Sequence, residues 1–328
     1  MTEIVLHVGA HKCATTSLQR SLQSLAQRDS CIHYRDSNRL DPLQRTITQA
    51  VLNGADGQHR QEVADAILKT AAASRGIKRF ILSNENFLGR MLGLDWQFYP
   101  NVDILRDIID RIAARAPTRV LLQSRESASY LRSSYQFRVR NGLRLSYDQF
   151  LQRCDLGGLS WLRLGDTLLH GADFRWRVLP IENLRGSERQ NSLDRTARFL
   201  HPDWELQADD FPQENATRGT LVRCVTLHLN KMGCPMPAAK WAFEQTLTQL
   251  ESTLLAHLSA GHPAAPLLLQ SFQDQGLAIG LNPCRAIVHD FAFSLHNEPG
   301  QLEEFLRAGF AADYAGFLAR YVAPEPTP

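Results

Sequence analysis

Ile4-Val5-Leu6-His7-Val8-Gly9-Ala10-His11-Lys12-Cys13-Ala14-Thr15-Thr16-Ser17-Leu18-Gln19 is the stretch from which the rest of the chain is read. Ile4 to Val8 is a short apolar run of the length of one buried strand. Gly9 ends it and permits a tight turn. Thr15, Thr16 and Ser17 are all residue types that cap helices, and Leu18, Leu22 and Leu25 then recur at helical spacing. The segment therefore reads strand, turn, helix. Such a turn gathers backbone N–H groups and the positive end of a helix dipole, which together favour phosphate or sulfate. Lys12 adds a mobile cation and the hydroxyls add donors. His11 lies in the same loop, where its cationic form is expected. Cys13, near the helix start, is expected to favour the thiolate and to serve through its backbone N–H.

The loop is not that of a nucleoside-triphosphate P-loop. Five positions after Gly9 stands Ala14, then Thr15 where Lys would be required, and the lysine comes earlier, at Lys12. The Gly-x-Gly-x-x-Gly dinucleotide fingerprint is also absent.

Further along, Cys31–Tyr34, Phe80–Leu82, Arg119–Gln123 and Arg175–Ile181 read as strands, the last with arginines flanking Trp176. Helical patterns lie between them: one opened by Asp41-Pro42, one over Gln61–Ala73, and one over Ile104–Ala116 that Pro117 stops. Strands separated by helices predict a mainly parallel sheet, with ligands beyond the carboxyl ends of the strands. That places the Gly9–Ser17 turn, the Ser83–Phe87 segment and Ser124-Arg125 along one edge. After Leu184 only helices are expected: Thr196–Leu200, Leu221–Leu229, Trp241–Leu258, Cys284–Leu295 and Leu302–Tyr321. The expected organisation is an α/β core over 1–232, a helical region packing on it over 233–323, and a disordered tail over 324–328.

A second motif follows the strand at Arg119–Gln123. Arg125 comes just after it and Ser133 eight positions later, on the following helix. Arginine supplies a charge-assisted fork to a phosphate, and the serine hydroxyl a neutral donor two turns along.

Together, Lys12-Cys13-Ala14-Thr15-Thr16-Ser17 and the Arg125/Ser133 pair resemble the two nucleotide motifs of sulfotransferases that use 3′-phosphoadenosine 5′-phosphosulfate (PAPS). The family pattern is Lys-x-Gly-Thr-Thr after an N-terminal strand, and Ala14 departs from it. The resemblance covers about residues 1 to 220, and Glu182-Asn183-Leu184 looks like the Glu-Asp-Leu/Met element of the family. It implies a P-loop-like sulfotransferase fold with PAPS as co-substrate and no metal. The loop residues Lys12 to Ser17 would hold the 5′-phosphosulfate, and Arg125 with Ser133 the 3′-phosphate. Arg218-Gly219 would stand for the later basic loop, although the family's Arg-Lys-Gly is not present as such. Lys12 would act at the bridging oxygen. Glu85 would be the general base towards a hydroxyl acceptor, a carbohydrate or small metabolite, with His11 and His33 as competing bases. The alternatives are a magnesium- and ATP-dependent small-molecule kinase and a non-catalytic helical interaction protein.

Composition narrows the setting. The 328 residues are 44% hydrophobic and 21% charged, as in globular proteins. A net charge of +2 gives no broad field for nucleic acid. The six cysteines are scattered with no Cys-x-x-Cys, which speaks against zinc and against a disulfide framework. No basic n-region precedes the first strand and no apolar run reaches a membrane span, so a cytoplasmic enzyme is expected.

Overall fold

The computed structural model describes residues 1–35, 41–184, 186–206, 220–231, 245, 248–249, 251–252 and 301–322. It divides into two compact units: Met1–Ser134 with Cys154–Asn215 and Ala308–Pro328, and Tyr135–Arg153 with Ala216–Arg307.

The first unit is built on a five-stranded sheet in the order β2-β3-β1-β4-β5. The strands are β1 (Glu3–Gly9), β2 (Ile32–Arg35), β3 (Arg79–Ser83), β4 (Thr118–Ser124) and β5 (Arg175–Pro180), and every pairing is parallel. All five coincide with the expected runs. The near-continuous apolar composition of the three central strands follows from burial on both faces. Ile4, Leu6, Val8, Phe80, Leu82, Val120 and Leu122 on one face are 0% exposed.

The opposite face is layered along the strands. At the amino end Glu3 bonds Arg79 Nε at 2.6 Å and Arg119 Nε at 2.5 Å. In the middle Val5, Ile81, Leu121 and Leu179 pack with Leu18, Leu22, Leu193, Ala197 and Leu200. At the carboxyl end His7 Nδ1 meets Ser83 Oγ at 2.6 Å and His7 Nε2 meets Gln123 Oε1 at 2.8 Å.

The helices of this unit are α1 (Thr15–Arg28), α2 (Pro42–Leu52), α3 (Gly57–Ala73), α4 (Val102–Ala113), the start of α5 (Ser127–Arg140), α7 (Trp161–Leu168) and α8 (Arg189–Leu200). Asp41 caps α2 by accepting from Leu43 N and Gln44 N, Asp56 caps α3 at His59 N, and Ser160 caps α7 at Arg163 N. Part of the C-terminal helix α10 (Gln301–Tyr321) also belongs here. Its Asp313 accepts from Trp161 N at 2.8 Å and from the Ser160 hydroxyl, and its Tyr321 ring lies so close to Gly165 that a Cβ there would meet it at 2.6 Å.

The second unit includes α6 (Tyr147–Arg153) and α9 (Thr220–Lys231). Tyr135 packs against Tyr147 and Phe150, and Asn230 Nδ2 donates to the carbonyls of Val139 at 2.6 Å and Leu143 at 3.1 Å.

Several helices run longer than expected. That over Gln61–Ala73 starts at Gly57, because Asp56 supplies the cap, and that expected over Thr196–Leu200 starts at Arg189. The short helices α6 and α7 were not anticipated. Of the helix expected over 241–258, residues 245, 248–249 and 251–252 are helical. The helix expected over Cys284–Leu295 and the 324–328 tail lie outside the described residues. Among the described residues no helix is long and apolar enough to cross a membrane.

The strand order positions the site. After β1 the chain runs towards β2 on one side, and after β4 it runs towards β5 on the other. Where successive connections depart in opposite directions a crevice opens beyond the carboxyl ends, here between β1 and β4.

Candidate functional site

Both sequence motifs lie at this crevice. Gly9 is required at the end of β1 by close approach: a Cβ there would sit 2.3 Å from Thr15 Oγ1. The chain then reverses through two residues in the left-handed region, Lys12 at φ 64° and Ala14 at φ 62°. Ala14 therefore adopts the conformation that glycine adopts without strain, and the loop keeps its course despite the substitution. Cys13 N donates to Ala10 O at 3.2 Å, and the Thr15 hydroxyl donates to the same carbonyl at 3.2 Å. Thr15 thus fastens the turn with its side chain and faces the crevice through its main chain.

Helix α1 starts at Thr15 with Ala14 as N-cap and no side-chain cap, and its first turn holds no acidic residue. Its neighbours α2, α3 and α7 are all capped by side chains. The first N–H groups of any helix lack an intrahelical partner, and here no N-cap side chain takes them and the first turn has no acidic residue, an arrangement that favours an anion at the positive end of the dipole. Lys12 and Thr16 are half-buried beside it, and Ser17 is buried on the first turn.

The loop is held from below by Tyr99, whose hydroxyl accepts from His11 N at 3.0 Å and from Tyr130 Oη at 3.1 Å. Tyr99 is itself in the left-handed region, at φ 47°. No local sequence signal marks Tyr99 or Tyr130, because the contact spans 88 positions.

From β4, Arg125 reaches across. Its Nη1 donates to Lys12 O at 2.9 Å and its Nε to Ser129 Oγ at 2.8 Å. The first turn of α5 is closed by Glu126, which accepts from Ala128 N at 2.7 Å and Ser129 N at 2.8 Å. Ser133 lies two turns along α5 and is 9% exposed. Beyond β5, Glu182 Oε1 accepts from Glu126 N at 2.9 Å.

From β3 comes Glu85, in a short 3-10 turn spanning Glu85–Leu88. Its Oε1 is 3.8 Å from His11 Nδ1, while His11 Nε2 faces the Gly89 carbonyl at 3.2 Å. Two charge expectations are corrected. Burial lowers the His11 pKa, and the Lys12 charge adds to that. Glu85 and the Gly89 carbonyl pull the other way but do not reverse it, so the neutral ring is favoured. Burial likewise pushes the Cys13 thiol far up. The cations Arg125 and Lys12 oppose this, and the carboxylates Glu182 and Glu85 reinforce it, so Cys13 is a thiol and not a thiolate.

His33 is remote in chemistry, partnered by Ser74 Oγ at 3.2 Å on the edge strand. Arg218 and Gly219 lie outside the described residues. Among the described residues no three His, Cys, Asp or Glu side chains are placed to share a metal ion. The sheet thus brings Lys12 to Ser17, Glu85, His11, Arg125 and Ser133 into its carboxyl-edge region, and adds Tyr99, Glu126 and Ser129 as supports. No protein-family model, curated protein or solved structure matches this chain.

Proposed function

We propose that this chain is a sulfotransferase that uses PAPS and delivers the sulfuryl group to a hydroxyl acceptor, a carbohydrate or small metabolite. The observation that carries the reading is the 2.9 Å contact between Arg125 Nη1 and Lys12 O at the β1/β4 crevice. It supports two anion grips at one crevice: the start of α1, whose N-cap gives no side-chain cap, with Lys12, and Arg125, followed two turns along α5 by buried Ser133. A nucleotide with phosphates at both ends of its ribose fits two such grips, whereas a triphosphate needs a Gly-Lys-Ser/Thr loop that is missing here.

The nucleotide supplies the activated sulfuryl group. The chain's own residues bind and orient. Thr16, Ser17 and the N–H groups opening α1 hold the 5′ end, and Lys12 places its ammonium where charge develops on the departing phosphate. Arg125 and Ser133 hold the 3′-phosphate. Glu85 takes the proton of the acceptor hydroxyl, with His11 at its side.

The test is binding of adenosine 3′,5′-bisphosphate and of magnesium ATP by thermal shift, followed by transfer of labelled sulfate from PAPS to a panel of hydroxyl acceptors. The bisphosphate is expected to raise the melting temperature and magnesium ATP to leave it unchanged. A shift with magnesium ATP alone would favour a kinase, and no shift with either would leave the interaction-protein reading.

A further inference from the structure

We propose that Asn84 is a positioning residue for the transfer: it fixes the turn that carries Glu85 and so sets where the base meets the acceptor hydroxyl. The inference rests on Glu85 being that base. The Glu85 side chain is 35% exposed and stands 3.8 Å from His11 Nδ1. A carboxylate so lightly held is placed by the backbone beneath it, and a catalytic group needs that support to keep its geometry.

The support comes through the residue before it. Asn84 is 6% exposed and follows directly on β3. Its N–H donates to His7 O of β1 at 3.2 Å, and its carbonyl accepts from Phe87 N at 3.4 Å. Its Oδ1 accepts from Asn86 N at 2.8 Å and from Asn86 Nδ2 at 3.0 Å, which caps the 3-10 turn over Glu85–Leu88. Its Nδ2 donates to Gln44 Oε1 at 2.9 Å. Gln44, 1% exposed near the start of α2, passes the line on: its Nε2 donates to Arg35 O of β2 at 2.8 Å.

This line of amides runs in one direction only. Arg35 O can only accept, which turns Gln44 Nε2 towards it and Gln44 Oε1 towards Asn84. Asn86 N can only donate, which turns Asn84 Oδ1 towards the turn and Nδ2 towards Gln44. The two ends demand the same arrangement. A buried polar line satisfied throughout holds a single geometry, so β1, α2 and, through Gln44, β2 all fix the residue that precedes the base. Alanine at this position would lose both the cap and the tie to Gln44.

The experiment is a cycle of Asn84→Ala and Glu85→Gln on the full chain. It reads the turnover of labelled sulfate from PAPS to the best hydroxyl acceptor of the panel, and the affinity for adenosine 3′,5′-bisphosphate by calorimetry. Asn84→Ala is expected to lower turnover roughly 10–100-fold, the scale of a misplaced catalytic group. Affinity for the bisphosphate stays unchanged, because the nucleotide is held at β1 and β4. In the Glu85→Gln background the same substitution is expected to lower turnover no further, since a residue that acts through the base then has nothing left to position. A merely structural role would add its loss to that of Glu85→Gln and would weaken the bisphosphate as well. Unchanged turnover in Asn84→Ala, a loss of bisphosphate affinity, or an additive loss in the double variant overturns the proposal. Should Asn84→Ala not fold, Asn84→Ser decides: it keeps an acceptor for the turn and loses the tie to Gln44, so its turnover is expected between those of wild type and Glu85→Gln, and wild-type turnover overturns the idea. A wild type that transfers no sulfate, or full turnover in Glu85→Gln, overturns instead the reading on which this rests, and the proposal with it.

Discussion

Arg125 Nη1 donates to the carbonyl oxygen of Lys12 at 2.9 Å, across the gap between the two central strand ends. The bond does two jobs with one side chain: it fixes the left-handed Lys12 and it orients the guanidinium at the mouth of the crevice. Arg125→Lys separates them from simple charge, since an ammonium keeps the charge and loses the planar fork. We expect Arg125→Lys to weaken binding of adenosine 3′,5′-bisphosphate by about 1.5–3 kcal/mol, the worth of charge-assisted hydrogen bonds, measured by calorimetry. Wild-type affinity in the variant would remove Arg125 from the nucleotide site.

Glu85 Oε1 stands 3.8 Å from a His11 ring that prefers to be neutral. A neutral ring does not compete with the acceptor for the carboxylate's negative charge. Glu85→Gln preserves shape and removes basicity. It is expected to lower the rate of sulfate transfer roughly 10²–10⁴-fold, the range of a positioned base, while leaving bisphosphate affinity unaltered. Full turnover in the variant would move the base elsewhere.

The three central strands were legible because each is a short apolar run buried in the sheet, and the edge strands β2 and β5, which carry His33, Arg35, Arg175 and Arg177, from their few apolar and aromatic residues. The two motifs were legible because the residues of each sit within a single turn and helix. What escaped has a common physical origin. Tyr99 reaches the site over 88 positions, and nothing in its local sequence distinguishes it from a core aromatic. The helices α6 and α7, seven and eight residues long, are too short to show two full turns of periodicity. The charge states of His11 and Cys13 differ from expectation for one reason: the expectation follows from the anion loop and the helix start, while both residues are buried. Burial then outweighs the nearby charges.

His7 is fully buried between Ser83 and Gln123, and burial lowers its pKa to about 4, against which the Gln123 bond is a smaller opposing effect. The neutral ring has one consistent arrangement: Nε2–H donates to Gln123 Oε1 and Nδ1 accepts from the Ser83 hydroxyl. A histidine whose folded pKa lies below its unfolded value contributes fully above pH 6.5, and stability falls as pH drops towards 4, because the unfolded chain takes up the proton first. The window of about 2.5 units corresponds to about 3 kcal/mol. The expected observation is a His7 imidazole resonance unchanged from pH 8 to about 5, with the urea midpoint falling over the same acid limb. Titration of His7 near 6.5 would show that the buried triad is not formed.

Ala14 holds φ 62° and ψ 24° as the N-cap of α1, a conformation that costs a residue with a Cβ about 1–2 kcal/mol. Glycine removes that cost and returns part of it, roughly 0.5–1 kcal/mol, as extra entropy of the unfolded chain. Ala14→Gly is therefore expected to stabilise the protein, by up to about 1 kcal/mol in urea unfolding, and to leave nucleotide affinity intact. Lys12 has the same backbone conformation, at φ 64°, but also the cation. Lys12→Gly should thus hold or raise the urea midpoint while abolishing sulfate transfer. The pair of variants separates the shape of the loop from its charge. A destabilised Ala14→Gly would mean that the left-handed turn is not where the strain lies, and active Lys12→Gly would mean that the loop positions an anion without reacting with it.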